Sequence, residues 1–282
     1  MTHGMQGPKR SLGGRILRST AAGALGLLLL FLVLPLVSLL VRVPPRVLIA
    51  RLKDPAVIDA LRLSLVTSGC STAVVVVLGL PLAYLLATRE FRGKRLLEAL
   101  VDLPMVLPPT VAGVGLLMAF GRTGLLGGVL AALGLSIPFT TLAVVLAQVF
   151  VSAPFFVATM TAGLIEIEPR YLDAAATLRA SPTAVFLRVM LPLGLPSLVA
   201  GTATCWARAL GEFGATITFA GNLPGVTQTM PLAVYLALQT DLEASIALSV
   251  LLLAVSFLLL LAFRALPLRS VAGRRRAARG RG

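Results

Sequence analysis

In 282 residues the chain has one histidine, two cysteines and one tryptophan, and only 11 acidic residues against 25 basic ones. The lone histidine, His3, sits near the amino terminus, so His and Cys cannot assemble a metal cluster. Cys70 and Cys205 both fall in apolar runs, where small buried side chains are expected rather than a disulfide or a metal site. Nor is there a G-x-x-x-x-G-K-[ST] phosphate loop. The nearest imitation, around Gly93-Lys94-Arg95, has Thr88 in place of the first glycine and Arg95 in place of the hydroxyl. No cluster of nucleophile, base and metal ligands stands out, so no catalytic or metal-binding residue is assigned.

Charge of either sign is scarce as well. Only 13% of residues are charged, 57% are apolar, and mean hydropathy is +0.96. A soluble domain of this length needs far more polar surface. A spanning helix needs roughly 20 mostly apolar residues. The runs 21–41, 63–88, 103–121 and 244–263 satisfy this without a charge. Residues 123–165 are charge-free but too long for one span, and glycines between 124 and 134 together with Pro138 place a loop before one helix. Residues 191–220 are apolar except for Arg208 and Glu212. The expectation is an all-α, polytopic membrane bundle of six spans. Residues 1–60 hold a tail, the first span and an outer loop, 61–264 the core, and 265–282 a basic tail. The first run is too long for a signal-peptide core and lacks an A-x-A cleavage pattern, so it reads as a retained helix.

With six spans both termini share a side. That side carries Lys9, Arg10, Arg15 and Arg18; Arg89, Arg92, Lys94 and Arg95; Arg170, Arg179 and Arg188; and seven arginines from 264 to 281. The other side has only Arg42, Arg46, Arg51, Lys53 and Arg122. The excess predicts cytoplasmic termini in the cell membrane. It also assigns the basic tail to anionic headgroups of membrane lipid rather than to nucleic acid.

The segment from Glu168 to Pro192 does not suit lipid. Pro169 opens a helix rich in Ala and Leu, Ser181-Pro182 reads as a cap and first-turn proline, and Pro192 is expected to stop a second short helix. From the residues alone, a compact cytoplasmic knob and a linker lying flat on the membrane both remain open. In the fifth span Arg208 and Glu212, four apart, are expected to share a helix face. They read either as a polar face on a translocation path, where Arg208 attracts an anion, or as a structural ion pair. Gly211 and Gly214 beside them allow close helix approach or a bend. In the third span Pro104, Pro108 and Pro109 predict a bend near Pro108.

The Asp173-Ala174-Ala175 triplet, followed at the expected spacing by Val189-Met190-Leu191-Pro192, resembles the coupling loop of type I ABC importer permeases. Arg179 departs from that pattern, which has glycine there for a positive-φ turn. The runs Leu210-Gly211-Glu212-Phe213-Gly214-Ala215-Thr216 and Leu107-Pro108-Pro109-Thr110-Val111-Ala112-Gly113 look like the molybdate permeases, with sulfate permeases similar.

The resemblance implies import of molybdate, with tungstate as a second cargo and sulfate as the alternative. Its partners would be a cytoplasmic ABC ATPase dimer holding ATP and Mg, an external oxyanion-binding protein that does most of the discrimination, and a second permease copy forming a homodimer. It implies no cofactor in this chain. It places Asp173, Ala174, Ala175, Arg179, Ser181, Val189, Leu191 and Pro192 at the ATPase contact. The path reading of the fifth span, as against a structural ion pair, takes in Arg208, Glu212, Thr216 and Thr218. A stand-alone secondary transporter would need an internal repeat, and none is evident.

Overall fold

A computed structural model describes residues 12–265 of the chain, with side chains from 20 onward. His3, Lys9, Arg10 and the basic tail from 266 lie outside the described residues. Within them the chain is helical, without strands.

Four helices are long and apolar enough to cross a membrane singly: α1 (Leu12–Arg42), α3 (Pro55–Thr88), α7 (Thr141–Ile165) and α14 (Leu242–Ala265). Between α1 and α3 lies the short α2 (Pro45–Leu52). Helix α3 begins well before residue 63 because Asp54 caps it, accepting from Ala56 N at 3.0 Å, and Pro55 occupies the first turn. Thr140 caps α7 in the same way, accepting from Ala143 N at 3.3 Å.

The other two expected spans are not straight rods. The third is a pair, α4 (Lys94–Val106) and α5 (Pro109–Phe120), set at 116° to one another. The expected bend is therefore a reversal of direction. At 1.5 Å per residue each piece is only about 18–20 Å long, short of the roughly 30 Å of a bilayer core. Pro108 and Pro109 remove two successive donors, and Pro108 holds Leu107 extended at φ −66°, ψ 134°. After the short α6 (Gly127–Ala132) comes α7.

The fifth expected span, read as one helix over 191–220, is broken twice. The segment of α8 (Pro169–Thr177) and α9 (Pro182–Val185) leads into a π turn, Phe186–Met190, and α10 (Leu191–Leu193). Only at Gly194 does the chain turn by 72° into α11 (Leu195–Leu210). Pro192 does not end the helix as expected. It sits in the first turn of α10, where its missing N–H is not needed, and the wide π turn closes through Leu191 N to Phe186 O. Gly211 to Phe213 then separate α11 from α12 (Gly214–Phe219). An unforeseen apolar helix, α13 (Met230–Thr240), packs on α14.

The core is the bundle of α3, α7 and α11. Its centre carries a seam of small polar groups: Ser64, Thr67, Ser68, Ser71, Thr72, Gln148 and Ser152 are all buried. Ser71 Oγ donates to Gln148 Oε1 at 2.9 Å, and Cys205 Sγ lies 3.4 Å from Ser152 Oγ. Short hydroxyl side chains let helices approach closely while each O–H closes on a carbonyl or a neighbour. Cys205 is buried as expected. Cys70 is exposed, because it projects from the side of α3 away from this seam. Helix α1 stands apart: it meets the rest of the chain chiefly through Leu39 and Val43 near its end, against α14.

Candidate functional site

Two regions bear on function. The first is the loop between α7 and α11. Helix α8 opens with Pro169, and Arg170 Nε pairs with Glu168 Oε2 at 2.6 Å while its guanidinium stacks 4.9 Å over the Tyr171 ring. The helix closes at Arg179, which takes φ +51°. Arg179 N donates to Ala176 O at 2.9 Å, and Ala180 N to Ala175 O at 3.1 Å. That bond pair is a Schellman closure, whose left-handed position is usually glycine. The turn is thus built in the ordinary way with an arginine in it, and the strain is about 1–2 kcal/mol. Two residues on, Ser181 Oγ accepts from Ala184 N at 3.3 Å and starts α9.

One face of this segment is anchored. Leu172, Val185 and Phe186 pack against a buried cluster that includes Leu86 of α3 and Met160 and Leu164 of α7, and the Phe186 ring lies 4.7 Å from that of Tyr84. The segment is therefore a folded knob rather than a free linker. Of the residues singled out by sequence, Asp173, Ala174, Arg179, Ser181 and Pro192 are exposed, Val189 and Leu191 are half-buried, and Ala175 is buried. Leu178, which sequence reasoning passed over, is 82% exposed beside Arg179 at the tip. An apolar side chain held exposed by a rigid turn is suited to a partner's groove. Its signal was its place next to the glycine position.

The second region is the break between α11 and α12. The structure brings Arg208 and Glu212 together, but Glu212 is not on the α11 helix. It lies in the interruption, and its Oε1 accepts from Ala215 N at 2.8 Å, capping α12. Arg208 Nη1 lies 2.7 Å from Glu212 Oε2, an ionic contact whose angles fall outside hydrogen-bond geometry. The two partners differ in exposure: the Arg208 side chain is 29% exposed and that of Glu212 1%. Thr216 is buried, and Thr218, half-buried, donates to Gly214 O at 2.8 Å. Of the four path candidates, Glu212 and Thr216 are thus enclosed by the chain itself.

Close backbone approach sets this geometry. A Cβ on Gly214 would fall 2.7 Å from Pro109 Cβ, and one on Gly113 would fall 2.7 Å from Thr218 Cβ. The two glycines interlock α12 with α5, so the double proline of one broken span supports the break in the other. Phe213 packs on Tyr235 of α13, ring centroids 5.0 Å apart. Among the described residues no His, Cys, Asp and Glu gather in a group able to hold a metal ion.

Residues 79–270 match the family described as "Binding-protein-dependent transport system inner membrane component". The Molybdenum transport system permease protein ModB of Mycobacterium tuberculosis is 47% identical over 233 residues, 83% of this chain and 88% of that protein. The Sulfate transport system permease protein CysT of Escherichia coli is 38% identical over 217 residues, 77% of this chain and 78% of that one. Among solved structures, a chain of the bacterial alginate ABC transporter aligns with a TM-score of 0.72 at 16% identity, covering 93% of this chain and 98% of its own. A chain of the MetNI methionine ABC transporter, in inward-facing conformations, aligns at 0.60 and 22% identity, covering 74% and 93%. At such identities these two establish the fold alone.

Proposed function

This chain belongs to the binding-protein-dependent transport system inner membrane component family, and from that premise we propose that it is the multi-pass permease subunit of an ATP-driven importer of molybdate. The observation that carries the cargo is the 47% identity, across 83% of this chain and 88% of the other, to a protein named for molybdenum transport. The 38% identity to a sulfate permease makes sulfate the second reading and tungstate, a close chemical likeness of molybdate, a natural competitor.

In this reading the chain is not an enzyme. A separate cytoplasmic ATPase dimer binds ATP and Mg, and an external oxyanion-binding protein delivers the anion. Two copies of the chain face one another in the cell membrane with all termini in the cytoplasm, which the distribution of Arg and Lys supports. The knob from Asp173 to Pro192 is the ATPase contact. Its anchoring on α3 and α7 supports this, because force enters a bundle only through a part that moves with it. The path follows α11 and α12 past Arg208, with Glu212, Thr216 and Thr218 behind it.

The test is uptake of radiolabelled molybdate by proteoliposomes holding the chain, its ATPase and the binding protein. The expected result is ATP-dependent uptake that excess tungstate suppresses. Uptake that persists without the ATPase would sink the importer reading, and uptake of sulfate but not molybdate would replace the cargo.

A further inference from the structure

Among the described residues five buried side-chain oxygens have no hydrogen-bond partner within the chain. One, Glu212 Oε2, is matched by the Arg208 charge at 2.7 Å; of the other four, Thr216 Oγ1, Asn222 Oδ1 and Thr229 Oγ1 fall in the stretch from 208 to 229. Elsewhere in the core, hydroxyls such as those of Thr67, Ser71 and Ser152 close on carbonyls of their own helices. Buried polar groups are normally matched, so a local concentration of exceptions marks a place that serves something other than the fold.

Arg208 is the charged member of this stretch. Its only polar contact among the described residues is Glu212, reached through Nη1. A guanidinium presents five N–H donors in a planar fork, and its Nε and Nη2 edge meets no acceptor among the described residues. That edge is not sealed in. The exposed positions here include Ala200, Thr204 and Ala207 of α11 and Gly211 just past its end, spaced four, three and four apart, and Arg208 lies four after Thr204 and three before Gly211. Small side chains on that face leave the guanidinium uncovered.

We propose that Arg208 is this chain's own contact for a tetrahedral oxyanion, and that Glu212 is a fixed counter-charge that keeps the contact short-lived. This rests on the reading of the chain as an oxyanion permease. The free edge of the guanidinium matches two oxygens of such an anion in a bidentate contact. A lone arginine in an apolar span would hold a dianion firmly, whereas passage needs binding weak enough to release. Glu212 supplies the opposing charge and cannot follow the anion, because its side chain is buried and its other oxygen is tied to Ala215 N. Glu212 is therefore a positioning residue, and Arg208 the one that touches the cargo.

The experiment uses the complete complex in proteoliposomes, with sodium molybdate outside and, in separate preparations, sodium molybdate in the lumen. Glu212→Gln keeps an oxygen for Ala215 N and removes the counter-charge. It is expected to lower maximal uptake and to strengthen inhibition by lumenal molybdate about tenfold. Arg208→Lys keeps the charge but loses the second edge, and is expected to lower uptake while weakening lumenal inhibition. Arg208→Gln with Glu212→Gln leaves no lone charge in the span and is expected to assemble with the ATPase yet show no lumenal inhibition. Unchanged lumenal inhibition in all three variants overturns the proposal and leaves the pair a structural tie. If the wild-type complex carries sulfate instead, the same series with sodium sulfate tests the Arg208 contact, and the molybdate reading alone falls. A wild type that carries neither anion overturns both.

Discussion

The indole Nε1 of Trp206 donates to Ser68 Oγ at 2.7 Å, joining α11 to α3 across 138 positions of sequence. The bond sits at the middle of the polar seam and beside Cys205 and Arg208, so it sets the rotation of α11 about its axis. Ser68→Ala leaves the indole N–H without its acceptor and should destabilise the chain by about 1–3 kcal/mol. Trp206→Phe on the same background should recover much of that loss, since both polar partners are then gone. Thermal melts of the purified chain in detergent give the double-mutant cycle, and additive effects would mean that the bond contributes nothing.

Arg179→Gly relieves the left-handed arginine at the end of α8. The expected gain is about 1 kcal/mol, reduced by the extra freedom glycine has when unfolded. Arg179→Val, β-branched at the same φ of +51°, should destabilise the knob. Protease sensitivity of the 165–192 segment reports both. A wild type more resistant than the glycine variant would contradict the strain argument.

Phe186 anchors the knob to Tyr84 at 4.7 Å between ring centroids. Phe186→Ala removes a half-buried ring, and a loss of about 2 kcal/mol is expected for partial burial. The functional consequence is uncoupling: ATP hydrolysis by the reconstituted complex continues while uptake per ATP falls. Equal losses in both would show that the anchor serves assembly instead.

The interlocked glycines make a steric prediction. Gly214→Val or Gly113→Val drives a branched side chain into the facing helix, where even a Cβ meets atoms at 2.7 Å. Either variant should cost several kcal/mol by overpacking. Gly115→Ala, which faces open space on the same helix as Gly113, should be nearly silent. Expression as a monodisperse species in detergent separates the two classes.

At the turn between α13 and α14, Asp241 accepts from Ala244 N at 3.0 Å and pairs with Arg51 Nη2 at 2.8 Å. The backbone bond from Ala244 first, then the Arg51 charge, holds its carboxyl below the ordinary value of 3.8. A depressed carboxylate stabilises the fold above its unfolded value and loses that effect as pH falls through the lower, folded one. Melting temperature should therefore drop more steeply below pH 3.8 in the wild type than in Asp241→Asn. Parallel curves would remove Asp241 from the acid response.

What the residues determined by themselves is the solvent. Twenty-residue apolar runs suit only lipid, and the pattern from Asp173 to Pro192 carried a resemblance to the coupling loop of importer permeases, because both are properties of contiguous chain. Ser181 and Pro169 marked helix starts for the same reason: a cap acts within three or four residues. The tertiary structure decided the rest. One expected span proved to be a bent pair and another to be broken twice; the 116° reversal at Pro108 and the interruption at Gly211 are set by contacts between α5 and α12, which lie about a hundred residues apart in sequence. The same packing moved Glu212 off the helix and buried it, leaving Arg208 as the partner with a free edge. Residue spacing specifies which side chains share a helix. Which of them faces the core, and which is left for an anion, depends on where distant helices come to rest.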